Sequence, residues 1–225
     1  MNHVRPLDQN LWVIERPHRM AGMQLGTRST LIRHANQDLT LISPGAFNDA
    51  VWAEIDALGV LTTLIAPNIY HHLFLNNAAE RYPEAHVFLT EGLPQKVRAL
   101  PHGTIIDPGT FAFLAPELLV TTLQGSTTNE SVFFHPSTRT LIVTDLVFNI
   151  QQGGLWTRWM MKLNGGFGRL GPTKMLRASI QDDDAFRRSL EHLLAWDTER
   201  IIMAHGELVQ RDGQKKLHDA FADYL

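Results

Sequence analysis

Short apolar runs alternate with clusters of polar turn residues along most of the chain, and this pattern predicts β-strands. Several runs are rich in valine, isoleucine, threonine and phenylalanine, the residues that favour extended structure. Polar turns at 34–38 and 136–139 join two pairs of runs, as in antiparallel hairpins. The predicted strands are 11–14, 29–32, 39–42, 61–66, 86–89, 118–122, 131–134, 140–144 and 200–203.

Apolar residues at helical spacing lie between these runs, in segments 48–58, 72–82, 182–196 and 213–225. The third segment opens with three aspartates, which stabilise a helix N-terminus, and places Phe186, Leu190 and Leu193 on one side. Hairpins mixed with strand–helix units predict a layered α/β or α+β domain in which helices cover the sheet faces.

Segment 151–180 departs from this pattern because six glycines break its periodicity. It also holds five basic residues and no acidic one. We interpret it as an insertion in which Trp156, Arg158, Trp159 and Lys162 form a lid for a lipophilic or anionic substrate, or contact an anionic membrane surface. The ordinary interpretation, which we favour, is a glycine-rich loop whose Trp and Met side chains fill the edge of the core.

Composition narrows the class of protein. A length of 225 residues favours a single domain, 1–225, and the absence of cysteine excludes disulfides, a thiolate zinc site and a cysteine nucleophile. A formal charge of −3 argues against a nucleic-acid partner. We expect no transmembrane segment and a cytoplasmic location, because the longest apolar region, 111–123, is short and interrupted and residues 1–15 lack a signal-peptide core.

Ionisable residues follow three of the predicted strands. Run 61–66 leads to His71 and His72, run 140–144 leads to Asp145, and run 201–204 leads to His205. Strand ends aim side chains rigidly, and three imidazoles with one carboxylate suit Zn²⁺, iron or manganese. Each residue alone also has an ordinary explanation: a helix start, a turn cap or a buried histidine bonded to a carbonyl.

The order of these segments resembles the metallo-β-lactamase superfamily. More narrowly, segments 14–17, 66–74 and 144–149 resemble a bacterial branch of it that is classed as a domain of unknown function. The resemblance implies an α+β fold, an αββα sandwich with mixed sheets and helices on the outer faces. The segments that carry it are 65–72 (IAPNIYHH), 124–127 (QGST), 141–148 (LIVTDLVF) and 203–206 (MAHG), with 27–33 and 41–45 as the opening hairpin.

The resemblance also implies which metal ligands this chain has lost and kept. The superfamily's first two histidines correspond to Pro67 and Ile69, and its third to Ser126, so the first metal position is missing. The second position corresponds to His71, His72, Asp145 and His205. One divalent metal is therefore implied, with zinc expected and iron or manganese as alternatives. Side chains expected to orient the ligands or substrate are Asn68, Tyr70, Ser126, Thr127, Asn149 and Glu207.

Two classes of function follow. The first is a metal-dependent hydrolase of a small-molecule ester, thioester, amide or phosphoester, which the retained second position favours. The other is a non-catalytic binding or scaffold protein with a structural or empty site, which the missing first position favours. Redox chemistry at a single iron is a third possibility.

Overall fold

The computed structural model describes residues 3–225. Contacts divide the chain into two compact units: Met1–Arg16 with Arg28–Ile106, and Pro17–Thr27 with Asp107–Leu225. In chain order the strands are β1 Val4–Asp8, β2 Leu11–Arg16, β3 Arg19–Met20, β4 Met23–Gln24, β5 Thr27–Arg33, β6 Asp38–Ile42, β7 Val60–Ala66, β8 His86–Leu89, β9 Thr104–Ile105, β10 Leu119–Thr122, β11 Ser131–His135, β12 Thr140–Ile142 and β13 Arg200–Ile202. The helices are α1 Asp49–Asp56, α2 Leu75–Arg81, α3 Leu93–Lys96, α4 Leu155–Asn164, α5 Lys174–Ser179, α6 Asp183–Leu194 and α7 Gly213–Ala220.

The first unit contains a seven-stranded mixed sheet in the order β1-β2-β5-β6-β7-β8-β9. Strands β5 and β6 pair antiparallel, whereas β6, β7, β8 and β9 run parallel, with Leu41 opposite Leu64. The inner parallel strands read as nearly continuous apolar runs, as expected for strands buried on both faces. Val51 and Ile55 of α1 join these strands in one apolar core.

The second unit contains a four-stranded sheet, β10-β11-β12-β13, and the small β3–β4 hairpin. Strands β10, β11 and β12 are antiparallel, and β13 adds parallel to β12. Leu141 of β12 and Ile201 of β13 pack in one core with Phe186 and Leu190 of α6. The Asp182 side chain begins α6 by accepting a hydrogen bond from the Ala185 N–H.

Most of the predicted elements are confirmed, with boundaries shifted by a few residues. Each of the nine predicted strands is present, and both predicted hairpins, β5–β6 and β11–β12, are antiparallel. The four predicted helices form but are shorter; the last ends at Ala220. The mixed sheets and helices confirm the α+β fold class. Within residues 3–225, no helix is both long and apolar enough to cross a bilayer.

Segment 151–180 is not the loop that the glycines suggested, because it contains the helices α4 and α5. Gly165 ends α4 in the left-handed conformation at φ 87°, which glycine adopts without strain. The expectation that its tryptophans fill the core edge is wrong, since Trp156 and Trp159 are exposed, whereas Met161 is buried. A helix whose apolar residues face outward lacks the core-facing pattern on which the prediction relied.

Candidate metal centre

His205 lies just after β13 in the second unit, with its ring held from two sides. Its Nδ1 lies 2.6 Å from the carbonyl oxygen of Gly26, and the ring stacks on Phe148 with centroids 4.9 Å apart. Because a carbonyl only accepts hydrogen bonds, the Nδ1 atom must donate. In the neutral tautomer that this bond selects, the lone pair lies on Nε2, the form that a metal ion binds.

Asp145 follows β12 and places its carboxylate beside that lone pair. Its Oδ1 lies 3.5 Å from the His205 Nε2, and both side chains are only 9% exposed. This separation is longer than a charge-assisted hydrogen bond, which measures about 2.7–2.9 Å. Two donors that share a tetrahedral zinc ion at about 2.0–2.2 Å lie roughly 3.3–3.6 Å apart. The Asp145–His205 pair of the second unit therefore fits two ligands of one ion.

Glu130, which sequence reasoning missed, holds the backbone at Asp145. Its buried carboxylate accepts hydrogen bonds from the N–H groups of Thr144, at 2.6 Å, and Asp145, at 3.0 Å. Burial raises the pKa of Glu130 to about 7, the negative charge of Asp145 adds to the rise, and the hydrogen bonds oppose it. The available signal was a lone acidic residue directly before a strongly apolar strand.

Gly206 and Asn149 hold the chain after His205. The two residues form a parallel bridge, and the Asn149 side-chain amide donates to the Glu207 carbonyl at 2.8 Å. Gly206 has φ 91°, and a Cβ atom there would lie 2.3 Å from the Asn149 carbonyl oxygen. Only glycine fits this close approach. The Asn149 side chain therefore holds the backbone at Glu207. The Glu207 side chain itself is exposed.

In the first unit, Asn68 shapes the loop that carries His71. Asn68 is fully buried, and its Oδ1 accepts hydrogen bonds from the N–H groups of Tyr70 and His71, both at 2.8 Å. The half-buried His71 ring lies with Nδ1 2.8 Å from the Ser43 hydroxyl. A hydroxyl both donates and accepts, so Ser43 positions the ring without fixing where its hydrogen lies.

His72 is held differently from its neighbour. Its Nδ1 is buried and has no hydrogen-bond partner among residues 3–225. Burial lowers the pKa of His72, and the charge of Lys96 adds to the effect. A lowered pKa favours the neutral ring, the form that metal binding requires.

Ser126, Thr127 and Tyr70, also singled out in the sequence, contact neighbouring protein groups. The Ser126 hydroxyl is buried 2.9 Å from the Thr128 hydroxyl and 2.8 Å from the Ser179 hydroxyl. The Thr127 N–H donates to the Ser179 carbonyl, and the Lys96 ammonium lies 4.0 Å from the Tyr70 ring centroid. Ser126 thus ties its loop to the end of α5.

The chain has the fold of the metallo-β-lactamases. A metallo-β-lactamase from Pontibacter korlensis matches 100% of this chain and 99% of its own, with a TM-score of 0.67 and 13% identity. FIM-1 from Pseudomonas aeruginosa, solved in a mono-zinc form, matches 100% and 96% with a TM-score of 0.66 and 12% identity. An Erythrobacter litoralis enzyme, solved with beta mercaptoethanol in the active site, matches 98% and 96% with a TM-score of 0.68 and 14% identity. At these identities the likeness shows the fold alone.

Comparison of the sequence with models of protein families assigns the chain to a family. A model of the family described as Domain of unknown function (DUF4336) matches residues 8–155, about two thirds of the chain. The chain belongs to this family. No curated protein matches it in sequence.

Proposed function

We propose that this protein is a metal-dependent hydrolase with a single metal centre, acting on a small-molecule ester, thioester, amide or phosphoester. The observation that carries the proposal is the pair in the second unit. The His205 Nε2 and the Asp145 Oδ1 face each other at 3.5 Å, the spacing of two ligands of one ion. The metallo-β-lactamase fold supports the same conclusion.

The ligands that we propose are Asp145 and His205 of the second unit, which face each other, together with His71, which the superfamily resemblance implies. His72 is the fourth member of the set that the resemblance implies, and its neutral ring suits that role. Nitrogen and oxygen donors without sulfur suit zinc, with iron or manganese as alternatives. Three protein ligands leave a coordination position open for substrate, whereas four close a tetrahedral site.

When bound, a divalent ion supplies Lewis acidity: it lowers the pKa of water from ~15.7 towards ~7 and polarises a carbonyl or phosphoryl oxygen. The chain's own groups hold the donors in place. The Gly26 carbonyl keeps the His205 hydrogen on Nδ1, and Glu130 fixes the backbone that carries Asp145. Held donors need little rearrangement on binding, which favours affinity.

A non-catalytic binding or scaffold role is the second candidate. It is favoured by Pro67, Ile69 and Ser126, which stand where the superfamily has the histidines of its first metal position. Proline and isoleucine have no ligand atoms in their side chains, so this chain has one position at most where the superfamily has two.

A hydrolysis panel distinguishes the two roles. We expect zinc-loaded wild-type protein to cleave at least one ester, thioester, amide or phosphodiester reporter, and Asp145→Asn protein to lose about a hundredfold in rate. His192→Ala, which changes an exposed histidine of the same unit, is the matched control and should keep full activity. Metal-loaded protein that is silent across the panel would favour the binding role.

Two further parts of the proposal have simple tests. We propose that residues 1–225 act as a single domain with an insertion at 151–180, for which calorimetry should show one cooperative transition. We also propose a cytoplasmic location, which fractionation of the native cells would test.

A further inference from the structure

Helix α4 presents large apolar side chains to solvent. At about 100° per residue, these side chains occupy one continuous arc of the helix, while Thr157 and Met161 face the opposite way and are buried. Single exposed apolar residues are ordinary, but a contiguous group marks an interaction surface. The exposed fractions are 85% for Leu155, 51% for Trp156, 55% for Trp159 and 51% for Leu163.

The helix is held firmly within the second unit. The Thr157 hydroxyl accepts a hydrogen bond from the Gln24 N–H at 2.9 Å, and the Trp156 indole N–H donates to the Ala21 carbonyl at 3.0 Å. Met161 packs in an apolar cluster with Met23 and Phe148. The β3–β4 hairpin therefore braces α4 with its apolar arc turned outward.

Basic residues lie beside this arc. Arg158 and Lys162 are exposed and lie along one border of it on the same helix. The bracing hairpin adds exposed Arg19 and Met20, and residues 17–27 contain no acidic residue. Segment 151–180 carries five basic residues and no acidic one, although the whole chain has a net charge of −3. Three exposed basic residues, Arg19, Arg158 and Lys162, thus lie on the two elements that form this surface.

We propose that α4 and the β3–β4 hairpin form a docking surface for an anionic lipid bilayer. Trp and Leu side chains enter the boundary between headgroups and acyl chains, while Arg and Lys contact the anionic headgroups. Charge complementarity selects this occupant, because α4 and the β3–β4 hairpin themselves carry basic residues and no acidic ones, which matches a negatively charged membrane. The proposal goes beyond the proposed hydrolase function, and its test needs no activity.

Vesicle flotation tests the proposal on the full-length chain. We expect wild-type protein to float with vesicles of phosphatidylglycerol in phosphatidylcholine, and to bind phosphatidylcholine vesicles at least ~10-fold more weakly. Arg158→Glu with Lys162→Glu should remove the preference for anionic lipid. Leu155→Ser with Leu163→Ser should weaken binding to both vesicles. Raised salt should weaken wild-type binding, because screening acts on exposed charges.

Matched controls separate this surface from general charge and hydrophobicity. Arg98→Glu with Arg188→Glu makes the same change in net charge at exposed sites elsewhere, and Val60→Ser with Leu225→Ser removes exposed apolar residues elsewhere. Both controls should bind like wild type. Circular dichroism of each variant verifies that it folds.

Tryptophan fluorescence supplies a second measurement. Brominated phosphatidylglycerol should quench wild-type emission, and Trp156→Phe with Trp159→Phe should lose most of this quenching. The proposal is overturned if wild-type protein ignores anionic vesicles, or if the control charge reversal abolishes binding equally. It is also overturned if α4 variants change only the dimerisation of the protein in light scattering.

Discussion

The two units position their histidines with different kinds of groups. In the second unit, His205 bonds to a backbone carbonyl, and the neighbouring Asp145 backbone is held by the buried carboxylate of Glu130. In the first unit, His71 bonds to the hydroxyl of Ser43, and the loop turns on the Asn68 amide. A carbonyl fixes which ring nitrogen carries the hydrogen, whereas a hydroxyl does not. The second unit is therefore preorganised for a metal, and the first is adaptable.

The greatest loss of bound metal should follow a change in the second unit. His205→Ala removes the donor whose lone pair faces Asp145, so we expect the metal content of protein purified without chelator to fall from about one equivalent to near zero. Elemental analysis measures it. His192→Ala should keep the wild-type content. Equal metal in His205→Ala and wild type would show that His205 does not hold the metal.

A smaller loss of zinc affinity is expected from changes in the first unit. His71→Ala should weaken zinc affinity by about 10–100-fold rather than abolish binding, since the Asp145–His205 pair remains. His72→Ala should change affinity less, because the buried Nδ1 of His72 is closed to solvent. Competition with a fluorescent zinc chelator measures both. A larger loss in His72→Ala would assign the first unit's ligand to His72 instead.

The next prediction concerns the buried carboxylate of Glu130 and the stability of the fold. Glu130→Gln replaces one acceptor oxygen with an amide N–H that faces a backbone N–H, so we expect a loss of about 1–3 kcal/mol in the free energy of unfolding. Denaturant titration measures it. Glu191→Gln, on the exposed face of α6, should stay within about 0.5 kcal/mol of wild type. Equal losses in both variants would show that Glu130 has no special role.

The smallest change in stability is expected from Glu15, a half-exposed carboxylate in the first unit. Burial raises the pKa of Glu15, but hydrogen bonds and the charges of Arg28 and Arg5 outweigh it and leave the pKa lowered. The stability that Glu15 contributes is therefore present above its unfolded pKa of 4.5 and is lost as the pH falls through the folded value. Because Glu15 is partly exposed, we expect only a few tenths of a kcal/mol.

Denaturation at pH 5 and pH 3 would test this prediction. Between these values wild-type protein should lose slightly more stability than Glu15→Gln does. Glu84→Gln, which alters an exposed glutamate of the same unit, is the control. A Glu15→Gln profile parallel to that of wild type would show that the Glu15 ion pairs contribute no pH-dependent stability.

Much of the fold could be predicted from local patterns. The buried parallel strands, such as β7, read as continuous apolar runs, and the candidate ligands stand at the ends of β7, β12 and β13, where polar residues follow such runs. The groups that hold the site could not be predicted. The Gly26 carbonyl lies 179 positions from His205, and a backbone atom leaves no residue-type signal.

Helix α4 escaped prediction for a different reason. Pattern rules assume that apolar residues face the core, and Leu155 and Trp159 face solvent. Glu130 was missed because a single buried carboxylate looks like any acidic turn residue until its two N–H donors are known.

Anomalous X-ray diffraction at the zinc edge, on crystals grown with zinc, would locate the metal directly. We expect one anomalous peak within about 2.0–2.2 Å of both the His205 Nε2 and an Asp145 carboxylate oxygen. A zinc-free site in zinc-saturated crystals, or a peak bound by other residues, would contradict the proposed metal centre.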